Sequence, residues 1–83
     1  MKKINSTNGR ISAGLSNVRM TVTDNKQIIF EGSKGIVEYN DKSIKINSGK
    51  YLVAFSGRSL HISSMNEYDL IIEGFITSIE YIM

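Results

Sequence analysis

The chain has 83 residues, with ten basic and eight acidic side chains, a net charge of +2, no cysteine and one histidine, His61. This length accommodates one domain, and the lack of cysteine excludes disulfides and thiolate metal sites. Four of the ten basic residues precede the first acid, Asp24, and from there six basic residues face eight acidic ones, which argues against a nucleic-acid-binding body.

Residues 1–17 are rich in Ser, Asn and Gly and carry only scattered apolar side chains. Such a segment buries little apolar surface, so we predict a flexible N-terminal arm over residues 1–17 and a β domain over residues 18–83. The arm is either a frayed terminus or a segment that becomes ordered on a partner. Polar residues follow its basic start where a signal peptide needs an apolar run, and we therefore expect a cytoplasmic protein.

From Val18 onward the pattern is typical of short β-strands. Val18, Met20 and Val22 alternate with polar residues, which predicts a half-buried strand. Polar turns of two to five residues then separate further apolar segments, and such short connections favour antiparallel neighbours. The further predicted strands are residues 27–31, 35–39, 43–47, 51–55, 60–62, 69–73 and 75–82.

These roughly eight strands predict an all-β fold, a small antiparallel meander bent into a roll or two-layer sandwich. Gly32, Gly57 and Gly74 each lie between two strand segments. A glycine within a strand pattern is typical of a bulge or sharp bend, so we predict that the sheet bends at these three residues. A ligand-binding backbone site is the alternative interpretation of the same glycines.

Some predicted strands are apolar on both faces. The residues out of phase with an apolar neighbour are Ile29, Ile36, Leu52 and Ile71, beside Phe30, Val37, Val53 and Ile72 respectively. A chain this short cannot readily cover two apolar faces from within. We therefore predict a homo-oligomer with Ile29, Leu52 or Ile71 near the contact; a monomer that covers both faces is the alternative.

No constellation for catalysis is apparent. His61 lies between Leu60 and Ile62, so in a strand it points to the opposite, solvent face. The acids lie in turns or along polar strand faces, and no nucleophile or phosphate-binding motif occurs. The sequence thus predicts a protein that is not an enzyme, with no catalytic, cofactor-binding or metal residues, no cofactor and no small-molecule substrate.

Three segments carry a family resemblance. Residues 35–47 (GIVEYNDKSIKIN) resemble the Gly-Ile-Leu-Glu-Tyr…Ile-Arg-Ile segment of the YabP/YqfC family of bacterial endospore-formation proteins. Residues 56–62 (SGRSLHI) resemble its Gly-x-x-Leu-x-Ile segment, and residues 72–81 (IEGFITSIEY) its closing Ile-x-Gly-x-Ile-x-x-Ile-Glu-Phe/Tyr segment. Order and spacing agree from about Val18 to Tyr81, and the details are closer to the YqfC branch.

The resemblance implies a role in sporulation, in the cytoplasm of the mother cell, with no known catalytic residues. Relatives are encoded near a membrane protein of sporulation, which implies a membrane-associated partner and a peripheral position at a membrane. Family members usually carry a proline before the first strand, where this chain has Leu15-Ser16-Asn17. We thus expect a structural or assembly protein that acts through protein–protein contacts. A small β-barrel that binds nucleic acid is the alternative, and salt-dependent binding would identify it.

Overall fold

The computed structural model describes residues 18–83, so the predicted arm over residues 1–17 lies outside the described part of the chain. The described residues form six β-strands and no helix, which confirms the predicted all-β class. In chain order the strands are β1 (Arg19–Thr23), β2 (Gln27–Glu31), β3 (Gly35–Tyr39), β4 (Ser43–Asn47), β5 (Leu52–Met65) and β6 (Asp69–Ile82).

Alternating apolar and polar side chains account for the short strands. In β4, Ile44 and Ile46 are fully buried while Lys45 between them is half-buried. In β2, Ile28 and Phe30 are fully buried in the same way. Because successive side chains of a strand point to opposite faces, each strand presents one apolar face to the core.

The strands form one antiparallel sheet in the order β1-β2-β6-β5-β4-β3. The last four strands are a meander, but β2 pairs with β6 and not with β3, so the predicted meander is wrong at this point. Gly32, with a φ of 100°, turns the chain out of β2. The amides of Gly32 and Ser33 then donate to the carbonyl oxygen of Tyr68 at 2.9 and 2.7 Å.

Only residues 32–34 connect β2 with β3, although these strands occupy different positions in the sheet order. Four residue steps separate Glu31 from Gly35, and they span about 14 Å at most. The sheet must therefore be strongly curved, so that β3 lies near the end of β2. The curvature brings the β2–β3 connection beside the turn between β5 and β6.

The sheet has six strands and not the predicted eight, because four predicted short strands merge into two long ones. Residues 51–55 and 60–62 fall within or next to β5, and residues 69–73 and 75–82 within β6. Gly57 and Gly74 lie inside these 14-residue strands. Register shifts accommodate the extra residues, so pairing continues past both glycines.

Backbone crowding explains why glycine is needed at both positions. A Cβ on Gly57 would lie 1.9 Å from the carbonyl oxygen of Phe75. A Cβ on Gly74 would lie 2.6 Å from the carbonyl oxygen of Ser59, and Gly74 also has a φ of 139°. Gly57 is not among the positive-φ residues, so close approach alone explains its requirement, whereas Gly74 combines close approach with left-handed backbone.

The turns of two hairpins contact the long strands at these two glycines. The carbonyl oxygen of Lys26 accepts from the amide of Gly74, and that of Lys42 accepts from the amide of Gly57, both at 3.1 Å. Two further bonds of this kind join the Asn25 carbonyl to the Ile76 amide at 2.9 Å and the Asp41 carbonyl to the Leu60 amide at 2.8 Å. The β1–β2 and β3–β4 hairpins are thus fixed to the long strands in matching ways.

The core lies on the concave side of the curved sheet. Phe30 is opposite Leu70 at the start of β6, and Phe55 is opposite Ile79 near its end. Nine residues of straight strand would span about 30 Å, yet the two phenylalanine rings meet edge to face with centroids 6.1 Å apart. The bend therefore brings distant parts of one sheet face together.

Candidate interaction surface

Several exposed apolar side chains belong to β3 and to the turn after β5. Large hydrophobic side chains that are exposed among residues 18–83 are Ile36, Val37, Tyr39, Met65, Tyr68, Phe75, Ile82 and Met83. The first three belong to β3, and Met65 and Tyr68 flank the turn that follows β5. Three of these five, Ile36, Met65 and Tyr68, line a common cleft, which makes that cleft the best candidate for recognition.

This cleft has a volume of about 390 Å³. One wall is the β2–β3 connection with the start of β3, residues 33–36, and the other is the β5–β6 turn, residues 65–68. Leu70, only 2% exposed, forms part of its lining. The hydrogen bonds from Gly32 and Ser33 to the Tyr68 carbonyl oxygen join the two walls, so the cleft has a fixed base.

Strand β3 extends this surface along a sheet edge. Four of its five residues are exposed, including Ile36 at 36% and Val37 at 56%. The register shifts between Ile36 and Glu38, which marks Val37 as a bulged residue. Bulges and charges are common on edge strands because they limit uncontrolled pairing. β3 is thus an open but partly protected edge.

A side chain links β3 to the second half of β5. The amide of Ile62 donates a hydrogen bond to the Tyr39 hydroxyl at 2.9 Å. Near the opposite end of β3, Ile36 and Met65 line opposite walls of the cleft. The space between β3 and β5 is therefore bridged at Tyr39 and open at Ile36.

The predicted interface residues occupy a different part of the sheet. Ile29 and Ile71 are direct cross-strand partners, so the fold brings these two together. Leu52 is opposite Ile82 at the other end of β6 and does not join them. All three are half-buried, and their role at a contact stays a prediction. The sequence signal that indicates β3 instead is two adjacent apolar residues, Ile36 and Val37, in a strand that supplies no fully buried side chain.

Polar side chains form cross-strand pairs on half-exposed faces. His61 Nε2 lies 3.5 Å from Glu73 Oε1, and Gln27 donates to the other oxygen of Glu73 at 3.3 Å. Two ion pairs are present among the described residues, Arg19–Glu31 at 3.8 Å and Lys45–Glu38 at 3.5 Å. Exposed pairs of this type contribute little, up to about 1 kcal/mol each, and these pairs lie along strand faces, apart from the cleft walls.

Tyr81 carries a buried hydroxyl with no hydrogen-bond partner among the described residues. Its ring packs against that of Tyr51, with centroids 5.0 Å apart. Burial raises the pKa of Tyr81 well above its usual value, and the nearby Tyr51 hydroxyl raises it further. Tyr81 therefore remains neutral and serves packing.

Within residues 18–83, no group of three or more His, Asp or Glu side chains is placed to hold a metal ion. Over the same range, no helix has the length and apolarity to cross a membrane.

Comparison with known proteins identifies a family. No curated protein and no solved structure gives a significant match to the chain. The model of the YabP family matches residues 15–83, which covers all six strands. This range contains the three segments that carry the resemblance in the sequence, and it begins just before β1. The chain therefore belongs to the YabP family, which indicates a sporulation-related protein.

Proposed function

We propose that this protein is a non-enzymatic structural or assembly protein of endospore formation that acts through protein–protein contacts. The observation that carries the proposal is the cleft between residues 33–36 and 65–68, together with the exposed edge of β3. Five of the eight exposed large hydrophobic side chains of the described residues lie there. Exposed apolar side chains grouped around a cleft, as Ile36, Met65 and Tyr68 are, are typical of protein interaction sites.

The non-enzymatic part of the proposal is supported by the position of the polar groups. The closest approach to an acid–base pair is His61 with Glu73. Both side chains are substantially exposed, at 55% and 40%, on a strand face. Catalytic acids and bases are usually placed in a cleft that excludes water, and the cleft here is lined by other residues.

We further propose a finer placement, which the resemblance of the three segments supports. We propose that the chain belongs to the YqfC branch of the family. We propose that it works in the cytoplasm of the mother cell, peripheral to a membrane, with a membrane-associated sporulation protein as one partner.

We also propose that the sheet is rolled around a single core, which the contact between Phe30 and Phe55 supports.

The test replaces Met65, which is 61% exposed on the cleft wall, by glutamate in a spore-forming bacterium that carries this chain. A charge in the cleft should oppose docking of an apolar partner without unfolding the protein, because the position is exposed. We expect Met65→Glu to lower the yield of heat-resistant spores as strongly as deletion of the gene.

The matched control is Phe75→Glu. Phe75 is 50% exposed, lies under the Arg58 guanidinium near the bends, and does not line the cleft. Spore yield should remain near that of the unaltered strain. A folded Met65→Glu protein that supports normal sporulation would show that the cleft does not carry the function, provided that deletion of the gene lowers spore yield.

A further inference from the structure

We infer that the cleft is a self-association surface, on which a second copy of this chain docks its own cleft across a two-fold axis. This inference rests on the proposed function, since it names one partner for the same surface. Three features of the described residues carry it: an apolar centre, projecting side chains beside a depression, and opposite charges on opposite walls.

The centre of the cleft is lined mainly by apolar side chains. Ile36 lies on one wall, Met65 and Tyr68 on the other, and Leu70 contributes to the lining. Met65 and Tyr68 are 61% and 56% exposed, so they project next to the depression that they line. The same surface therefore carries both projecting side chains and a depression that can receive them. An isologous contact requires this combination, because the same patch must fit itself.

The charges on the rim are also self-complementary. Lys34 belongs to one wall and Glu67 to the other. Each is exposed, and neither forms an ion pair with another described residue. A two-fold axis that lies in the contact plane and runs along the cleft, parallel to its walls, places Lys34 of one copy opposite Glu67 of the next, and the reverse pair forms by symmetry. A foreign partner would have to supply both charges and the apolar centre.

The edge of β3 continues the patch. Val37 and Tyr39 extend the exposed apolar surface away from the cleft. An interface of standard size, about 800 Å² per partner, would cover about 15% of the 5224 Å² of accessible surface. The cleft and the β3 edge together supply an apolar centre and a charged rim, which is the usual anatomy of such an interface.

The experiment uses charge exchange in the purified full chain. Light scattering after gel filtration, at micromolar concentrations and low salt, should give twice 9.3 kDa for the unaltered protein. Lys34→Glu alone creates two Glu–Glu contacts across the axis, and Glu67→Lys alone creates two Lys–Lys contacts. We expect each variant to associate about tenfold or more weakly and to elute as a monomer.

Mixing the two variants is the decisive step. In the mixed pair, Glu at position 34 faces Lys at position 67, and the unaltered Lys34 faces the unaltered Glu67. Both contacts are attractive, so an equimolar mixture should recover the dimer. Raising the salt concentration should weaken this recovery, because screening acts on exposed charges. Circular dichroism should show that both variants are folded.

The control is Lys26→Glu in the β1–β2 turn, an exposed lysine that does not line the cleft, and it should leave the dimer intact. A mass near 9.3 kDa for the unaltered protein, or a mixture that stays monomeric, would overturn the inference. If Met65→Glu impairs sporulation while the unaltered chain is monomeric, self-association is rejected and the proposed function stands. An unlike protein or residues 1–17 would then be the occupant of the cleft.

Discussion

At the scale of single residues, Tyr81 shows how this core tolerates a polar atom. Its Cα lies opposite that of Val53, and its ring packs on Tyr51 at the margin of the core. The hydroxyl is buried without a partner among the described residues, and an unsatisfied buried hydroxyl is costly. Residue 81 therefore stabilises the fold through the packing of its ring and not through its hydroxyl.

We accordingly expect Tyr81→Phe to leave the free energy of unfolding unchanged within about 0.5 kcal/mol, or to raise it. The comparison variant is Tyr39→Phe, which removes the acceptor of the Ile62 amide and should cost about 0.5–1.5 kcal/mol. Urea unfolding curves measure both. A clear loss of stability in Tyr81→Phe would reveal a partner of this hydroxyl outside residues 18–83.

The pKa of Tyr81 adds a pH dependence to the same comparison. Because burial raises the pKa of Tyr81 in the folded protein, the unfolded chain releases this proton first, near pH 10. The free energy of unfolding should therefore fall as pH rises above about 10. Tyr81→Phe lacks this contribution and should lose less stability over the same range. If the free energy of unfolding fell equally steeply with pH in the unaltered protein and in Tyr81→Phe, the raised pKa of Tyr81 would be contradicted.

At the scale of elements, the two long strands depend on backbone contacts at their bends. Gly57 lies in β5 against the carbonyl of Phe75, and Gly74 lies in β6 against the carbonyl of Ser59. The obstructing atoms are backbone, so they cannot move aside as a flexible side chain would. The amide of each glycine also donates a hydrogen bond to a carbonyl oxygen of a hairpin turn. A shift at either glycine would therefore disturb two elements.

We expect Gly57→Ala and Gly74→Ala each to lower the free energy of unfolding by about 1–3 kcal/mol. Alanine also restricts the unfolded chain, which favours folding by less than 1 kcal/mol, so the steric term should dominate. Ser64→Ala is a suitable control, because Ser64 is exposed in β5 and should change stability by at most about 0.5 kcal/mol. Denaturant midpoints that do not move would show that the bends adapt to a side chain.

The elements also show what the sequence can predict. Strands β1 to β4 follow the predicted ranges closely, because alternating side chains and polar turns are local signals. The long strands were divided in the prediction at Gly57 and Gly74, because a glycine that bends a strand has the same sequence appearance as one that ends it. The pairing of β2 with β6 has no local signal, since it depends on contacts between distant segments.

The candidate surface was harder to predict for a related reason. Ile29 and Ile71 become half-buried by pairing with each other, and the sequence alone does not reveal that pairing. Ile36 and Val37 are as apolar as core residues, but β3 lies at an edge of the sheet and leaves them exposed. Position in the sheet order therefore decides which apolar residues remain available.

At the scale of the whole molecule, the charge balance favours a protein partner over nucleic acid. Residues 18–83 carry seven basic and eight acidic side chains, and Lys45 and Arg19 are paired with acids. Nucleic-acid binding depends on a surplus of basic groups near phosphates. Tight, salt-sensitive DNA or RNA binding by residues 18–83 alone would reverse this preference.

The pairing of β2 with β6 joins distant segments of the chain, and we expect it to form late in folding. Strands β3 to β6 form from neighbouring segments, whereas Gln27 must find Glu73, 46 positions away. Closing so long a loop is slow compared with forming a hairpin, and no proline isomerisation competes with it, since the chain has no proline. We expect refolding to be limited by docking of the β1–β2 hairpin, so Ile28→Val, which weakens the contact with β6, should slow refolding in stopped-flow experiments. An unchanged refolding rate with faster unfolding would show that the hairpin docks after the barrier. Until the hairpin docks, β6 presents an open apolar edge. A newly made chain is then most exposed to exchanging its hairpin with another copy.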